Sequence, residues 1–319
     1  MHEGARRFGI DSAGSYLVGD RWRDIEAGAA ARCRTVLIDH GYAERESSVS
    51  PDARVTTIAE AATWIIADAR RRMQHPDSTP FATSIEELRI KVFADGADLD
   101  GIAKLAANPF IAGFTTNPTL MRKAGVADYA AFGRKALDIV GDRPISFEVF
   151  ADEPVEMLRH ARELASWSRN VHVKIPVTDT HGTSMAPVVR ELTAEGIRLN
   201  VTALMTERQV DDVCTSLAGT PGAYVSVFAG RIADTGRDPV PLMQRNAEIC
   251  NQASNVELIW ASPRELLNVF QADAAGVHVI TATPDILAKL ELVGKDLDTY
   301  SRETVIMFYK DALAAGFTL

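Results

Sequence analysis

Short apolar strands alternate with amphipathic helices along most of this chain. The clearest strand lies at positions 171–178, where valine or isoleucine occupies every odd position. Because a strand directs successive side chains to opposite faces, His172 and Lys174 share the other face. If that face is also buried, the charged form of the lysine is costly, and the neutral amine is a nucleophile toward carbonyls. Alternatively, Lys174 extends from a sheet edge into solvent. His172 lies one pleat deeper, where a packed core position is the simpler explanation.

The same strand pattern appears eight times after residue 85, and each strand is followed by apolar residues at helical spacing. The predicted strands are Arg89–Asp95, Ile111–Thr115, Pro144–Phe150, Val171–Thr178, Ile197–Thr202, Ala223–Phe228, Val256–Ala261 and Val277–Thr281. Eight strand–helix units within residues 86–319 fit the size of an α/β fold of the (β/α)8 TIM-barrel type. A doubly wound open sheet is the alternative, but no glycine-rich turn follows the first strand. A final helix is predicted over Tyr300–Ala315.

The first eighty residues carry a separate and smaller pattern. Ser15–Val18 and Thr35–Asp39 are predicted strands with a helix between them, which is a βαβ arrangement. Gln74–Thr83 contains two prolines and several polar residues, as is typical of a linker. We therefore predict two domains, a small α/β segment over residues 1–80 and the barrel over residues 81–319.

Composition and charge exclude several classes of function. Hydrophobic residues make up 46% and charged residues 24% of the chain, with a formal net charge of -9. No basic run is long enough for a nucleic-acid groove, and no apolar run approaches the length of a membrane span. The N-terminal stretch does not have the pattern of a signal peptide. Cys33, Cys214 and Cys250 have neither the spacing of metal ligands nor that of a disulfide framework. We expect a cytoplasmic protein with no nucleic-acid and no membrane partner.

Candidate chemistry gathers where the predicted strands end, which is where TIM barrels carry their active sites. The side chains expected there are Asp95, Thr115, Thr116, Asn117, Glu148, Lys174, Asn200, Thr202, Ser226, Phe228, Arg231, Ser262 and Arg264. Singly, each has a simpler explanation: Asn117 before Pro118 suits a helix cap, and Arg231 and Arg264 suit surface ion pairs. Together they predict one pocket that holds an amine, two carboxylates, amides, hydroxyls and two guanidinium groups.

The motifs that contain these residues are Phe93-Ala94-Asp95, Thr115-Thr116-Asn117-Pro118-Thr119-Leu120, Val173-Lys174-Ile175-Pro176, Asn200-Val201-Thr202 and Gly230-Arg231-Ile232. In order and spacing they resemble the transaldolase family, and the resemblance covers nearly everything from about Ile90 onward. Ala261-Ser262-Pro263-Arg264 is similar to the phosphate-binding turn of the same family. The resemblance implies class I chemistry, with a Schiff base on Lys174 and neither a metal nor another cofactor.

The resemblance also implies a role for each residue. Lys174 is the nucleophile, Glu148 carries protons through a water held by Thr202, and Asp95 handles the proton of the C4 hydroxyl. The implied substrate-binding residues are Thr115, Asn117, Asn200, Ser226, Phe228, Arg231, Ser262 and Arg264. Of these, Arg231, Ser262 and Arg264 would bind the phosphate of a sugar phosphate, because guanidinium groups suit phosphate oxygens.

Two positions separate transaldolases from the fructose-6-phosphate aldolases of the small-barrel branch that this chain resembles. Glu148 stands where the aldolases carry glutamine, and Phe228 stands where they carry tyrosine. A tyrosine hydroxyl there would protonate the enamine and release dihydroxyacetone, whereas phenylalanine has no donor. Both positions favour transfer between sugar phosphates. Aldolase-type cleavage, and a catalytically silent barrel with an assembly role, stay as alternatives, and we expect a homo-oligomer.

Near the N-terminus, the stretch Val18–Gly28 resembles the last motif of haloacid-dehalogenase-type phosphatases, particularly those that act on heptose bisphosphates. In that family the paired acids of the motif hold Mg²⁺, which here would be Asp20 and Asp24. The family's Asp-x-Asp nucleophile motif does not precede Val18, and without a nucleophile there is no phosphoaspartate chemistry. We therefore expect a truncated segment with a structural or docking role and no working metal site.

Overall fold

The computed structural model of the chain separates into two compact units, residues 1–79 and 80–319. The residues that the structure describes are 14–31, 33–42, 49–74 and 84–317. Most of the predicted linker Gln74–Thr83 lies outside these residues.

The N-terminal unit contains a three-stranded parallel sheet. Its elements are β1 (Tyr16–Gly19), α1 (Trp22–Ala30), β2 (Arg34–Ile38), β3 (Ala53–Val55) and α2 (Ile58–Gln74), and the strand order is β1-β2-β3. The Tyr16 hydroxyl on β1 donates to Asp68 Oδ2 on α2 at 2.8 Å, which ties the first strand to the last helix. The third strand was not predicted, because three residues are too few to show a period of two.

The C-terminal unit is a closed barrel of eight parallel strands. The strands are β4 (Lys91–Asp95), β5 (Ile111–Thr115), β6 (Ile145–Glu148), β7 (Val171–Pro176), β8 (Leu199–Leu204), β9 (Ala223–Val227), β10 (Val256–Trp260) and β11 (Val279–Ala282). They follow one another around the barrel in chain order, and β11 pairs with β4 to close it. The (β/α)8 TIM barrel is confirmed, and the open-sheet alternative is wrong.

Helices surround the barrel and connect its strands. They are α3 (Leu99–Ala106), α4 (Pro118–Lys123), α5 (Tyr129–Val140), α6 (Pro154–Trp167), α7 (Ala186–Ala194), α8 (Glu207–Ser216), α9 (Ala229–Ala233), α10 (Val240–Gln252), α11 (Leu267–Ala274), α12 (Pro284–Leu287) with the 3₁₀ turn Ala288–Leu292, and α13 (Leu297–Ala314). Among the described helices, none is both long and apolar enough to cross a membrane. No residue of α13 is buried, and several of its large apolar side chains are exposed, among them Val305, Phe308 and Leu313.

Alternation along the strands creates two apolar layers. Val171, Val173 and Ile175 of β7 belong to the large core between strands and helices. The opposite strand faces fill the barrel interior, where Phe93, Tyr224, Ile259, Ala261 and Val279 form a second cluster. A Cβ on Gly113 would lie 2.6 Å from Phe93 Cζ, so only glycine leaves room for this ring.

His172 belongs to this interior and not to the pocket above it. It is buried, and its ring centroid lies 4.5 Å from that of Tyr224. Burial lowers the pKa of His172 to about 4, so the ring is neutral near pH 7. The structure therefore shows the packed core histidine that the strand pattern predicts.

Candidate active site

Lys174 lies near the carboxyl end of β7, inside the barrel. Its neighbours across the strands are Glu148 on β6 and Asn200 on β8, in register with it. Its Nζ lies 3.1 Å from Glu148 Oε1 and also donates to the backbone carbonyl of Thr116. The lysine side chain is 11% exposed and that of Glu148 is 9% exposed. A closed barrel has no sheet edge, so the alternative of a lysine extending from an edge is wrong.

Glu148 is a buried acid held from two sides. Burial raises the pKa of its carboxyl, and the nearby charge of Lys174 opposes this rise without cancelling it. Thr116 Oγ1 lies 3.0 Å from Oε2, within hydrogen-bond distance. The Tyr129 hydroxyl accepts from the Glu148 amide at 2.9 Å and donates to its carbonyl at 3.2 Å, which fixes the backbone that carries the acid. A carboxyl with a raised pKa can accept a proton from the neighbouring amine and return it.

Asp95, at the carboxyl end of β4, is the second acid of the pocket. Burial raises its pKa, while the charge of Lys174 acts in the opposite direction. Thr115 Oγ1 donates to Oδ1 at 2.9 Å, and Asn117 Nδ2 donates to Oδ2 at 3.1 Å. The structure thus brings one amine and two acids of raised pKa into one pocket, which is the combination that acid–base chemistry at a carbonyl requires.

Two asparagines line the pocket with part of their hydrogen bonding already used. Asn117 accepts from the Leu120 amide at 2.9 Å, so it caps α4 as well as bonding Asp95. Asn200 is fully buried, donates to Ser146 Oγ at 3.0 Å and accepts from Ser226 Oγ at 2.7 Å. On each asparagine the side-chain nitrogen carries two N–H groups, of which one is used, by Asp95 in Asn117 and by Ser146 in Asn200. The second N–H of each is the group that can donate to a substrate.

Thr202 lies one pleat beyond Asn200 on the same face of β8 and is partly exposed. The pairing of β8 with β9 shifts register between Val201 and Leu204, and Ala203 has a φ of +67°. A residue other than glycine in this left-handed region is uncommon and concentrates at functional sites.

Two arginines and a tight turn occupy one corner of the same barrel end. Arg231 is exposed on α9, and its guanidinium lies 5.6 Å from the centre of the Phe228 ring. Arg264 binds Asp234 through both oxygens, with Nε 2.9 Å from Oδ1. This bond lowers the pKa of Asp234, and the charge of Arg231 adds to the effect. Arg264 therefore forms a surface ion pair at the end of the barrel where the predicted phosphate site lies.

The backbone at this corner is packed too closely for any side chain at Gly230. A Cβ on Gly230 would lie 1.6 Å from the carbonyl oxygen of Ser262 and 3.4 Å from Arg264 Cζ. Ser262 itself has a φ of +58°. The glycine thus lets α9 meet the turn at Ser262, which brings Arg231, Ser262 and Arg264 together.

Sequence reasoning missed three residues that bond to the predicted ones. Tyr129 lies on a helix and its hydroxyl hydrogen-bonds to the backbone of Glu148. Asp234 follows α9, a five-residue helix that the sequence pattern did not show. Thr281 stands near the end of the eighth strand, and its Oγ1 lies 2.5 Å from Thr115 Oγ1. The rule that selected strand-end side chains would have included Thr281 had it been applied to the last strand.

The N-terminal unit carries the two acids for which the sequence resemblance implies a metal site. Asp20 is exposed after β1, and Asp24 lies in the first turn of α1. Across the described parts of both units, no three or more histidine, cysteine or acidic side chains group in a way that could hold a metal.

Comparison with known proteins finds a matching family model for each of the two segments. Residues 92–317 match the sequence model of the Transaldolase/Fructose-6-phosphate aldolase family, and residues 1–65 match a model described as HAD-hydrolase-like. Both resemblances noted in the sequence are thereby confirmed.

Curated relatives cover most of the barrel. A "Probable transaldolase" of Dehalococcoides mccartyi is 33% identical over 202 residues, which span 63% of this chain and 90% of the relative. A "Probable transaldolase" of a Thermoanaerobacter species is 36% identical over 203 residues, or 63% of this chain and 89% of the relative. A third, from Desulforamulus reducens, is 36% identical over 214 residues, or 66% and 94%. On this agreement of sequence, the chain belongs to the transaldolase/fructose-6-phosphate aldolase family.

Proposed function

We propose that the protein is a transaldolase, which moves a dihydroxyacetone unit between sugar phosphates through a Schiff base on Lys174. The observation that carries the proposal is the Lys174 amine, 3.1 Å from Glu148 Oε1 and in one pocket with Asp95. The printed names of the relatives, "Probable transaldolase", agree with it. Fructose 6-phosphate and sedoheptulose 7-phosphate are the proposed donors, and erythrose 4-phosphate and glyceraldehyde 3-phosphate the proposed aldoses.

In the first half of the reaction, Lys174 Nζ attacks the C2 carbonyl of the donor ketose. Counted from the ammonium form of Lys174, Glu148 relays two protons in turn from the nitrogen to the C2 oxygen, which leaves as water and yields the protonated imine. Glu148 is close enough to the amine for direct transfer, and a water held by Thr202 would extend its reach to the oxygen. The raised pKa of Glu148 suits a group that must both take and give a proton.

In the second half, Asp95 takes the proton of the C4 hydroxyl and the C3–C4 bond breaks. The electron pair moves into the imine, which becomes an enamine, and the aldose phosphate leaves. The second N–H groups of Asn117 and Asn200 hold the oxygens of the retained unit. An acceptor aldose then binds, the enamine carbon attacks its aldehyde, and Asp95 returns the proton to the new hydroxyl. Addition of water to the imine, the reverse of the first half, breaks the bond to Lys174 and releases the new ketose. The imine is the electron sink throughout, so the proposed reaction needs no metal or other cofactor.

The corner formed by Arg231, Ser262 and Arg264 supplies the proposed phosphate site. Asp234 engages only the Nε and Nη2 side of Arg264, so the Nη1 side still has hydrogens to donate to a phosphate. The guanidinium groups select an anionic substrate, because they pair with phosphate oxygens in fixed geometry.

Transfer is favoured over cleavage because the pocket offers no donor at Phe228 to protonate the enamine. The experiment measures free dihydroxyacetone from fructose 6-phosphate with and without erythrose 4-phosphate. We expect little release without the acceptor and sedoheptulose 7-phosphate formation with it, whereas Phe228→Tyr should raise the acceptor-free release. Steady release by the unaltered protein would favour the aldolase. The silent-barrel alternative predicts no turnover with either substrate.

We also propose that the protein forms a homo-oligomer and that residues 1–80 serve structure or docking and not catalysis. The exposed apolar side chains of α13 support self-association, because monomeric soluble proteins seldom expose large apolar patches to water. Light scattering after size-exclusion chromatography tests the first point, and a monomer would refute it. The double substitution Asp20→Asn with Asp24→Asn tests the second, with transfer activity expected within about twofold of the unaltered protein.

A further inference from the structure

We propose that Thr281 is a positioning residue for Asp95, which it reaches through Thr115 by a chain of hydroxyl groups that can reverse direction when Asp95 gains or loses its proton. The role given to this chain of hydroxyl groups rests on the proposed function, in which Asp95 takes the proton when the C3–C4 bond breaks. The contacts themselves are independent of that function.

The chain crosses the inside of the barrel over three strands. β4 carries Asp95 and pairs with β5 on one side and β11 on the other. Thr115 of β5 donates from Oγ1 to Asp95 Oδ1 at 2.9 Å, and the same Oγ1 lies 2.5 Å from Thr281 Oγ1 of β11. Thr115 is 2% and Thr281 is 6% exposed, so solvent can scarcely substitute for either bond.

Counting protons sets the direction of the chain when Asp95 is ionised. A carboxylate only accepts, so the single proton of Thr115 goes to Asp95. Thr115 then has only lone pairs to offer Thr281, and Thr281 must be the donor of the 2.5 Å bond. Thr281 thus strengthens the bond that Thr115 makes, because a hydroxyl that accepts a hydrogen bond becomes a better donor.

When Asp95 carries a proton on Oδ1, the chain can run the other way. Asp95 donates to Thr115, and Thr115 donates to Thr281. The proposed reaction takes Asp95 through both states, because it receives the proton of a hydroxyl on cleavage and returns it when the new bond forms. Two hydroxyls in series keep Oδ1 bonded in either state, whereas a fixed N–H donor at Oδ1 would oppose the added proton. Asn117 Nδ2 donates to the other oxygen, Oδ2, which accepts in both states.

The surroundings of Asp95 show what else acts on its charge. Lys174 on β7 favours the carboxylate, and burial favours the protonated acid. Asn117 after β5 supplies the other neutral donor. Glu148 on β6 is the nearest partner of the same lysine, so its protonation state alters how much of that charge is available to Asp95. Removing the Thr281 hydroxyl takes one bond from the chain of hydroxyls in both states of Asp95. The loss is larger for the carboxylate, because hydrogen bonds that serve a charged group are the stronger ones, so the protonated acid should be favoured.

The experiment compares Thr281→Val, which removes the hydroxyl with little change of shape, with Thr281→Ser, which keeps it. Asp95 is titrated directly by NMR of protein labelled with ¹³C in its aspartate carboxyls, and Asp95→Asn identifies the signal. We expect the Asp95 midpoint to rise by about half a pH unit in Thr281→Val and to stay within about 0.1 unit in Thr281→Ser. Thr281→Ala, which also lacks the hydroxyl, serves if the valine variant does not fold.

Kinetics give the second readout. The acidic limb of kcat for transfer from fructose 6-phosphate to erythrose 4-phosphate should move up with the Asp95 midpoint, with kcat up to about threefold lower on that limb and KM little changed. Borohydride trapping on Lys174 should persist in every Thr281 variant, since Schiff-base formation precedes the step of Asp95. An unchanged midpoint in both hydroxyl-free variants, or an equal shift in Thr281→Ser, would overturn the proposal. Loss of trapping in the unaltered protein would instead refute the proposed function while leaving the NMR result to decide on Thr281.

Discussion

Two lysine–glutamate pairs bridge strands of this barrel, one at each end. At the amino end, Lys91 Nζ of β4 lies 2.6 Å from Glu257 Oε1 of β10, with side chains 52% and 32% exposed. At the carboxyl end, Lys174 Nζ lies 3.1 Å from Glu148 Oε1, with exposures of 11% and 9%. The shorter bond belongs to the more exposed pair, where water screens the charges and the pair contributes little to stability.

The difference between the pairs teaches that contact distance does not identify a reactive lysine. Burial raises the pKa of Glu148, and a second acid with a raised pKa, the partly exposed Asp95, lies in the same pocket. Lys91 opens the strand that Asp95 ends, so one strand carries the amine of the exposed pair and an acid of the buried site. The orientation that all strands share in a parallel barrel gathers the chemistry at one end.

Removing the two amines in turn should give the largest contrast. Lys174→Met deletes the nucleophile, and we expect transfer of dihydroxyacetone from fructose 6-phosphate to erythrose 4-phosphate to fall by about 10⁴-fold or more. Lys91→Met breaks an exposed ion pair, and we expect kcat/KM within about twofold of the unaltered protein. Similar losses of activity in both variants would contradict the distinction between a reactive lysine in the buried pair and an unreactive one in the exposed pair.

The two glutamates should differ less steeply. Glu148→Gln keeps the shape and a hydrogen-bonding group beside Thr116 but cannot carry a proton, so transfer should slow by about 100-fold. Glu257→Gln is the matched control, and we expect its kcat to be within about twofold of the unaltered value. Pre-steady-state mixing with fructose 6-phosphate locates the loss, which should fall on Schiff-base formation. Equal rates in the two variants would show that Glu148 carries no proton.

Backbone packing at the carboxyl end should have a smaller but specific effect. Gly230→Ala places a methyl group where Ser262 has its carbonyl oxygen, so the turn that supports Arg231 and Arg264 must move. We expect kcat/KM for fructose 6-phosphate to fall about tenfold or more, chiefly through KM. Unphosphorylated fructose should lose less, because it does not use this corner. A parallel loss for both sugars would indicate general misfolding or a phosphate site elsewhere.

The pH dependence of stability should give the smallest and subtlest effect. Because the pKa of folded Glu148 is raised above its ordinary value of 4.5, its contribution favours the folded state below that pH and is lost as pH rises through the folded pKa. Glu148→Gln lacks this loss. The free energy of unfolding of Glu148→Gln, minus that of the unaltered protein, should therefore increase as pH rises above about 4.5. Chemical denaturation at a series of pH values measures it, and a flat or falling difference would contradict the burial of an acid at this site.

Much of the barrel could be predicted because its strands are short and alternate strictly. The period of two along 171–178 alone puts Lys174 on the face opposite the helix-packing valines. The sequence does not show which residues share a level inside the barrel, because the register between strands depends on how the whole sheet closes. The 3.1 Å contact of Lys174 with Glu148 and the chain from Thr281 to Asp95 therefore emerge only in the structure.

Very short elements, and contacts made through the backbone, could not be predicted from the sequence for a different reason. The helix α9 has five residues, and β3 in the N-terminal unit has three, so neither spans enough turns or pleats to show a period. Tyr129 fixes Glu148 through the backbone amide and carbonyl, which carry no side-chain signature. By contrast, Asn117 before Pro118 predicts a helix cap, and the structure shows this cap together with the bond to Asp95.

The central claim is that the buried amine of Lys174, and not the exposed amine of Lys91, forms the covalent intermediate. The most direct measurement is borohydride reduction in the presence of fructose 6-phosphate, followed by mass mapping of the peptides. The account predicts one adduct of a reduced three-carbon unit on Lys174 and none on Lys91. The absence of any adduct, or an adduct on another lysine in place of Lys174, would contradict it.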